Sequence, residues 1–167
     1  MKAGAEGTST PIHINAGNRS CWIHGTVTRD SIKKGDFVVV NLTPMSGGYC
    51  SNLARTFILG EPNEMQKKLF DTYLELHEET RKMLVPGNRV KDLDDMGKEI
   101  CSKNGFGDYH IRGISHGLGL RFEENPASTI IPAHSSTKFQ NNMIITVGHT
   151  ILAVPSIGGV RFEDVYR

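Results

Sequence analysis

The sequence predicts an α+β domain, and three observations lead there. Residues 37–59 read as strand, turn and strand, residues 64–84 carry a helical stripe, and extended runs resume after Gly113. Taking the elements in order, residues 4–29 are rich in Gly, Thr, Ser and Asn, with short extended pieces at 12–15 and 21–23. The run FVVVNLTPMSGGYCSNLARTFIL follows, an apolar stretch, a turn at Gly47 and Gly48, and a second extended stretch, which is a β-hairpin signature. Met65, Leu69, Tyr73, Leu76, Thr80 and Met83 then recur at steps of three and four, placing one stripe on a helix that Pro62 and Pro86 punctuate. A second helix is predicted from Val90, Leu93, Gly97, Ile100 and Cys101, closed by Lys103, Asn104 and Gly105. Strand-like runs return at 117–122, 143–154 and 159–166. Strands, two helices, then strands imply helices covering a mainly antiparallel sheet, in one domain over residues 1–167.

Composition narrows the function classes. Nineteen basic residues against eighteen acidic ones give a net charge of +1, scattered rather than striped, so neither nucleic acid nor an anionic membrane is the expected partner. No apolar run is long enough for a membrane span, and the first residues lack the apolar centre of a signal peptide, so the cytoplasm is the expected location. Cys21, Cys50 and Cys101 are odd in number and widely spaced, which suits reduced thiols. His13, His77, His110 and His134 stand in unremarkable contexts and are expected at the surface or in loops.

Asn41 and Asn52 carry the most information. They fall at the end of one predicted strand and inside the next, where two side chains of a hairpin converge. Two aspartates there would hold a hard divalent cation, whereas asparagine offers only a neutral carbonyl oxygen. The pair is instead able to bond to each other and to His116, an amide network in place of a metal.

Three blocks, GGYCSNLARTFILGEP (47–62), SHGLGLRFEENP (115–126) and GGVRFEDV (158–165), resemble the pita-bread metallopeptidases, as do WIHG (22–25) and KKGDFVVV (33–40). The likeness is to the Xaa-Pro peptidases in particular, prolidase and aminopeptidase P, and more distantly to methionine aminopeptidase and creatinase. It implies a pita-bread fold and, in active members, two metal ions held by two aspartates, a histidine and two glutamates, with a bridging hydroxide as nucleophile. Matched block by block, those positions are Asn41, Asn52, His116, Gly148 and Glu163 in this chain, and His149 stands where a proline follows the first glutamate. Of two further family histidines, one matches His24 and the other falls on Glu123, beside Glu124. Ser115 replaces the glycine that usually precedes the metal histidine. By strand alternation His149 is expected on the face opposite the site.

Four carboxylates neutralise two divalent ions in the family, and only Glu163 remains of that set, with Glu123 as a newcomer nearby. Two ions roughly 3.5 Å apart would face a large uncompensated repulsion. No cofactor is therefore expected, or at most one weakly bound Mn, Co or Zn ion on His116, Glu163 and Glu123. Glu163 has a structural alternative, a pair with Arg161. The leading expectation is a peptide- or protein-binding relative without peptidase activity, with His24, Glu123 and Arg161 as substrate-side candidates. The alternatives are a metal-independent hydrolase using His24 or His116, resembling creatinase, and a residual single-metal Xaa-Pro peptidase. Family members reach a segment like Gly4-Ala5-Glu6-Gly7 only after a first helical pair, so an apolar sheet face without those helices is expected, covered in a homo-oligomer or by a partner chain.

Overall fold

A computed structural model describes residues 4–127 and 131–167 of the chain. Six strands come first: β1 (Gly7–Thr8), β2 (His13–Ala16), β3 (Phe37–Leu42), β4 (Pro44–Ser46), β5 (Tyr49–Cys50) and β6 (Leu53–Ile58). Two helices follow, α1 (Glu64–Lys82) and α2 (Val90–Lys103), and then β7 (His116–Gly117), β8 (Glu124–Ala127), β9 (Ile145–Val147), β10 (Leu152–Val154), β11 (Gly158–Val160) and β12 (Asp164–Tyr166). Every pairing among them is antiparallel, in the orders β2-β3-β6, β1-β4-β5, β12-β9-β7-β8 and β10-β11.

The predicted hairpin is present in a longer form. β3 pairs with β6 from Phe37↔Ile58 to Leu42↔Leu53, but the short arm β4–β5 is inserted between them. Gly47 and Gly48, both at positive φ, turn the tip of that arm. Asn52 consequently lies just before β6 rather than within a strand. Alternation is clean along β3, with Phe37, Val39 and Asn41 buried and Val38, Val40 and Leu42 on the other face. That second face continues across the sheet through Ile14 and Phe57, both exposed.

Asn63 caps α1 in a reciprocal box with Gln66, and Gln66 Nε2 also donates to the Gly35 carbonyl at 2.7 Å, tying the helix to the turn before β3. The buried stripe runs through Gln66, Leu69, Tyr73, Leu76 and Thr80, while Met65 is half exposed and stands outside it. His77 belongs to the buried face, four residues after Tyr73, and stands 3.6 Å from Asp164, contrary to the surface position expected of it. α2 packs Val90, Leu93, Ile100 and Cys101 into the same core, against Phe37, Val147, Leu152, Val154 and Val160 from the sheets.

The late strands are shorter than their patterns suggested. The run 117–122 contributes only Gly117 to a strand, and 143–154 and 159–166 are each interrupted. One interruption is at Gly148, where φ is +94° and the N–H groups of Gly148 and His149 both donate to the Ile114 carbonyl. The other, at residues 161–163, carries the chain from β11 across to β6 and β9.

Candidate functional site

The cleft is assembled where β3, β6, β7 and the two strand interruptions meet. Asn41 faces Ala54 across the β3–β6 ladder. Ala54 in turn exchanges both backbone hydrogen bonds with Glu163, each 3.1 Å. Two residues on, Thr56 Oγ1 donates to the Arg161 carbonyl and accepts from the Arg161 N–H, each at 2.8 Å. The segment carrying Arg161 and Glu163 is thus strapped along β6. His116 is brought in by α2, because the buried Asp94 carboxylate accepts the N–H groups of Gly113 and Ile114 at 2.7 and 3.0 Å. Gly117 has to be glycine, since a Cβ there would stand 2.4 Å from the Asn125 carbonyl oxygen. Tyr73 of α1 steadies the remaining wall, its hydroxyl lying 2.5 Å from the Thr150 carbonyl and 3.0 Å from that of Gly148.

Asn41, Asn52, His116, His149, Arg161 and Glu163 are all buried, while Glu123 is partly open and His24 is exposed at the mouth. Asn41 Nδ2 donates to Asn52 Oδ1 at 2.9 Å and to the Leu53 carbonyl at 3.2 Å. The amide pair expected from the sequence is therefore formed, although it closes on the backbone of Leu53 rather than on His116. Arg161, with no exposed surface, donates through Nη2 to Glu163 Oε2 at 2.5 Å. Its guanidinium supports Glu163 and has no face turned to a substrate. Burial by itself would raise the Glu163 pKa, but the Arg161 charge, aided by His149, outweighs it and holds the carboxyl well below the usual range.

The histidines are fixed by their neighbours. His116 Nδ1 is 2.7 Å from the Gly117 carbonyl, which can only accept, so Nδ1 carries the proton and a neutral ring leaves a lone pair on Nε2. That Nε2 stands 3.5 Å from Glu163 Oε1. His149 meets the His116 ring edge-on, 4.7 Å between centroids, with Nδ1 3.5 Å from Glu163 Oε1 and Nε2 3.7 Å from Glu123 Oε1. Its pKa is lowered, chiefly by burial. His149 therefore points into the cleft, contrary to the expectation from strand alternation. The positive φ of Gly148 is the reason, because it resets the alternation by one residue. The sequence signal for it was a glycine immediately before a histidine within an apolar strand run.

Two observations bear on the five positions matched to the family's ligands. The two asparagine amides are engaged with each other, and a Cβ at Gly148 would lie 1.7 Å from the Phe162 carbonyl oxygen, so the local backbone leaves no room for a glutamate. His24 lies 6.2 Å from the His149 ring and 5.6 Å from that of His13, so it lines the same cleft from its outer edge.

The model of metallopeptidase family M24 matches residues 1–167. The chain belongs to this family. Over 161 residues it is 35% identical to the Xaa-Pro dipeptidase of Pyrococcus furiosus, covering 96% of this chain and 45% of that protein. The structure superposes on the prolidase from Pyrococcus furiosus with a TM-score of 0.90 at 34% identity, covering 98% of this chain and 48% of the other. It also matches the X-Pro aminopeptidase from Thermotoga maritima, with a TM-score of 0.89 at 27% identity, covering 98% and 46%. The chain spans about half the length of these relatives. Against this background the fold is the family's pita-bread fold.

Proposed function

We propose that this M24 chain has given up the dinuclear centre, and with it two-metal peptide hydrolysis, and that the cleft keeps a peptide- or protein-binding role. The observation that carries the reading is the buried Asn41–Asn52 hydrogen bond, which occupies both aspartate positions with a neutral amide pair. In the family the two ions supply an activated hydroxide. Here the one strictly buried carboxylate among those positions, Glu163, already has the Arg161 guanidinium as its counter-charge. At the mouth, Glu123 and His24 are the polar groups open to an incoming chain, a carboxylate suited to a peptide amino group beside an imidazole. The relatives' names, Xaa-Pro dipeptidase and prolidase, make short proline-containing peptides the first ligands to try. The exposed face bearing Ile14 and Phe57 adds a surface for a second copy or a partner chain. The test is a pair of assays on one panel of Xaa-Pro peptides. Binding by calorimetry without turnover in Mn or Co supports the reading, and metal-stimulated turnover contradicts it.

A second reading, hydrolysis by a histidine without a metal, draws support from His24. Partial desolvation at the cleft mouth, then the charges of Arg161, His149 and His13, lower its pKa, so the ring is neutral near pH 7. Turnover that is independent of metal and lost in His24→Ala would favour it.

A further inference from the structure

We propose that His116, His149 and Glu123 form a site for one borderline divalent ion, of which zinc is the type, sharing only His116 with the family's ligand positions. The inference rests on the reading that Asn41, Asn52 and Gly148 no longer hold metal, and it gives the cleft a different use. A ring nitrogen of each histidine and a carboxylate oxygen of Glu123 lie within 4.8 Å of one another. Two imidazoles and one carboxylate, with a fourth position open, is a ligand set that zinc takes.

The groups that face the two rings select the same nitrogen in each. Gly117 accepts from His116 Nδ1 and so leaves Nε2 free. Glu163 Oε1 faces His149 Nδ1 and so favours the tautomer in which His149 Nε2 is free, 3.7 Å from Glu123 Oε1. Metal-bound histidines are held in this manner, by a backbone carbonyl or a carboxylate on the distal nitrogen. Ligands about 2.05 Å from a tetrahedral ion lie about 3.4 Å apart. A small inward movement of the partly exposed Glu123 brings its oxygen to that spacing.

A second observation points to a ligand. His116 Nε2, His149 Nδ1 and Glu163 Oε1 are buried atoms without a hydrogen-bond partner, gathered at one point in the cleft. Such groups are costly when nothing binds them. An ion on the two Nε2 atoms would engage the first directly. It would also draw His149 Nδ1–H onto Glu163 Oε1 and so pair the other two. The charge fits one ion better than two: Arg161 already balances Glu163, and Glu123 supplies one negative charge to the site. Nitrogen-rich ligation also favours Zn and Co over Mn and Mg.

The experiment is calorimetric titration of the chelator-treated chain with zinc chloride, repeated with manganese chloride, for the unaltered protein and for Glu123→Gln, His149→Gln, Asn41→Ala and Asn52→Ala. Visible absorption of the cobalt-loaded protein reports the coordination number. The expected result is one zinc per chain, four-coordinate cobalt bands, and affinity reduced about a hundredfold or more by His149→Gln and Glu123→Gln but kept in the asparagine variants. Glu123 is at the mouth, so its substitution reads the site even if His149→Gln fails to fold. No zinc uptake, or one zinc whose affinity ignores Glu123→Gln, overturns the inference and leaves the loss of the dinuclear centre standing. Two ions per chain, lost in Asn41→Ala and Asn52→Ala, overturns both.

Discussion

Asn41 Nδ2 and Asn52 Oδ1 are 2.9 Å apart, in a place where both side chains are 2% exposed. At that distance the pair is bonded because one partner donates and the other accepts. Two carboxylates in the same geometry would repel, and one of them would have to take up a proton. The double substitution Asn41→Asp and Asn52→Asp is therefore expected to destabilise the apo protein at pH 7 by about 3 kcal/mol or more, the scale of an uncompensated buried charge. Asn52→Asp alone should cost less, because its carboxylate still accepts from Asn41. Urea unfolding with and without Mn checks this, and Mn is expected to restore little of the loss in the double variant.

Gly148 should tolerate no side chain. Its φ of +94° is strained for other residues, and a Cβ would collide with the Phe162 carbonyl oxygen. Gly148→Glu, which places a carboxylate at this position, is predicted to cost about 3–5 kcal/mol rather than to build a ligand. Thermal melts compared with Gly148→Ala would show both variants strongly destabilised.

Arg161→Met leaves Glu163 buried without its cation, which should cost about 3–5 kcal/mol at neutral pH. Adding Glu163→Gln should recover more than half of it. The pH dependence gives the sign. With its pKa depressed in the fold, Glu163 contributes stability above the unfolded value of about 4.3, and that stability fades as pH falls through the folded value. In Arg161→Met burial acts on the carboxyl without its cation and favours the proton, so acidification from pH 7 toward about 4.3 should relieve the variant while the unaltered protein keeps this contribution until the pH falls below about 4.3. Unfolding free energies measured on both sides of that value distinguish the two slopes.

His110 is a simpler titration. Burial, reinforced by Lys98 and Arg112, lowers its pKa to about 4, so the folded state resists a proton that the unfolded chain accepts near 6.5. Stability should therefore fall as pH drops from about 6.5 to 4, and His110→Gln should flatten that fall by up to one proton in the pH slope. The ring is partly open to solvent, so the effect is expected to be modest. Denaturant midpoints at several pH values for both proteins test it.

Much of this site was legible in the residues. The hairpin pattern placed Asn41 and Asn52 together because turn glycines and alternation report strand pairing directly, although the β4–β5 arm moved Asn52 out of the strand. The Arg161–Glu163 pair was visible as a structural alternative. His149 was misplaced because alternation assumes an unbroken strand, and one glycine at positive φ is enough to turn the next side chain over. His77 differs from expectation because its immediate context carries no signal, whereas the helix period from Tyr73 places it on the buried face. The role of Tyr73 in steadying the 148–150 segment depends on a contact 75 residues distant, which no local pattern encodes.

The measurement that bears most directly on the whole account is the metal-to-protein ratio at saturating Mn or Co, with Xaa-Pro dipeptide hydrolysis followed in the same samples. The account predicts fewer than two ions per chain and no metal-stimulated turnover. Two ions per chain together with turnover that chelation abolishes would contradict it.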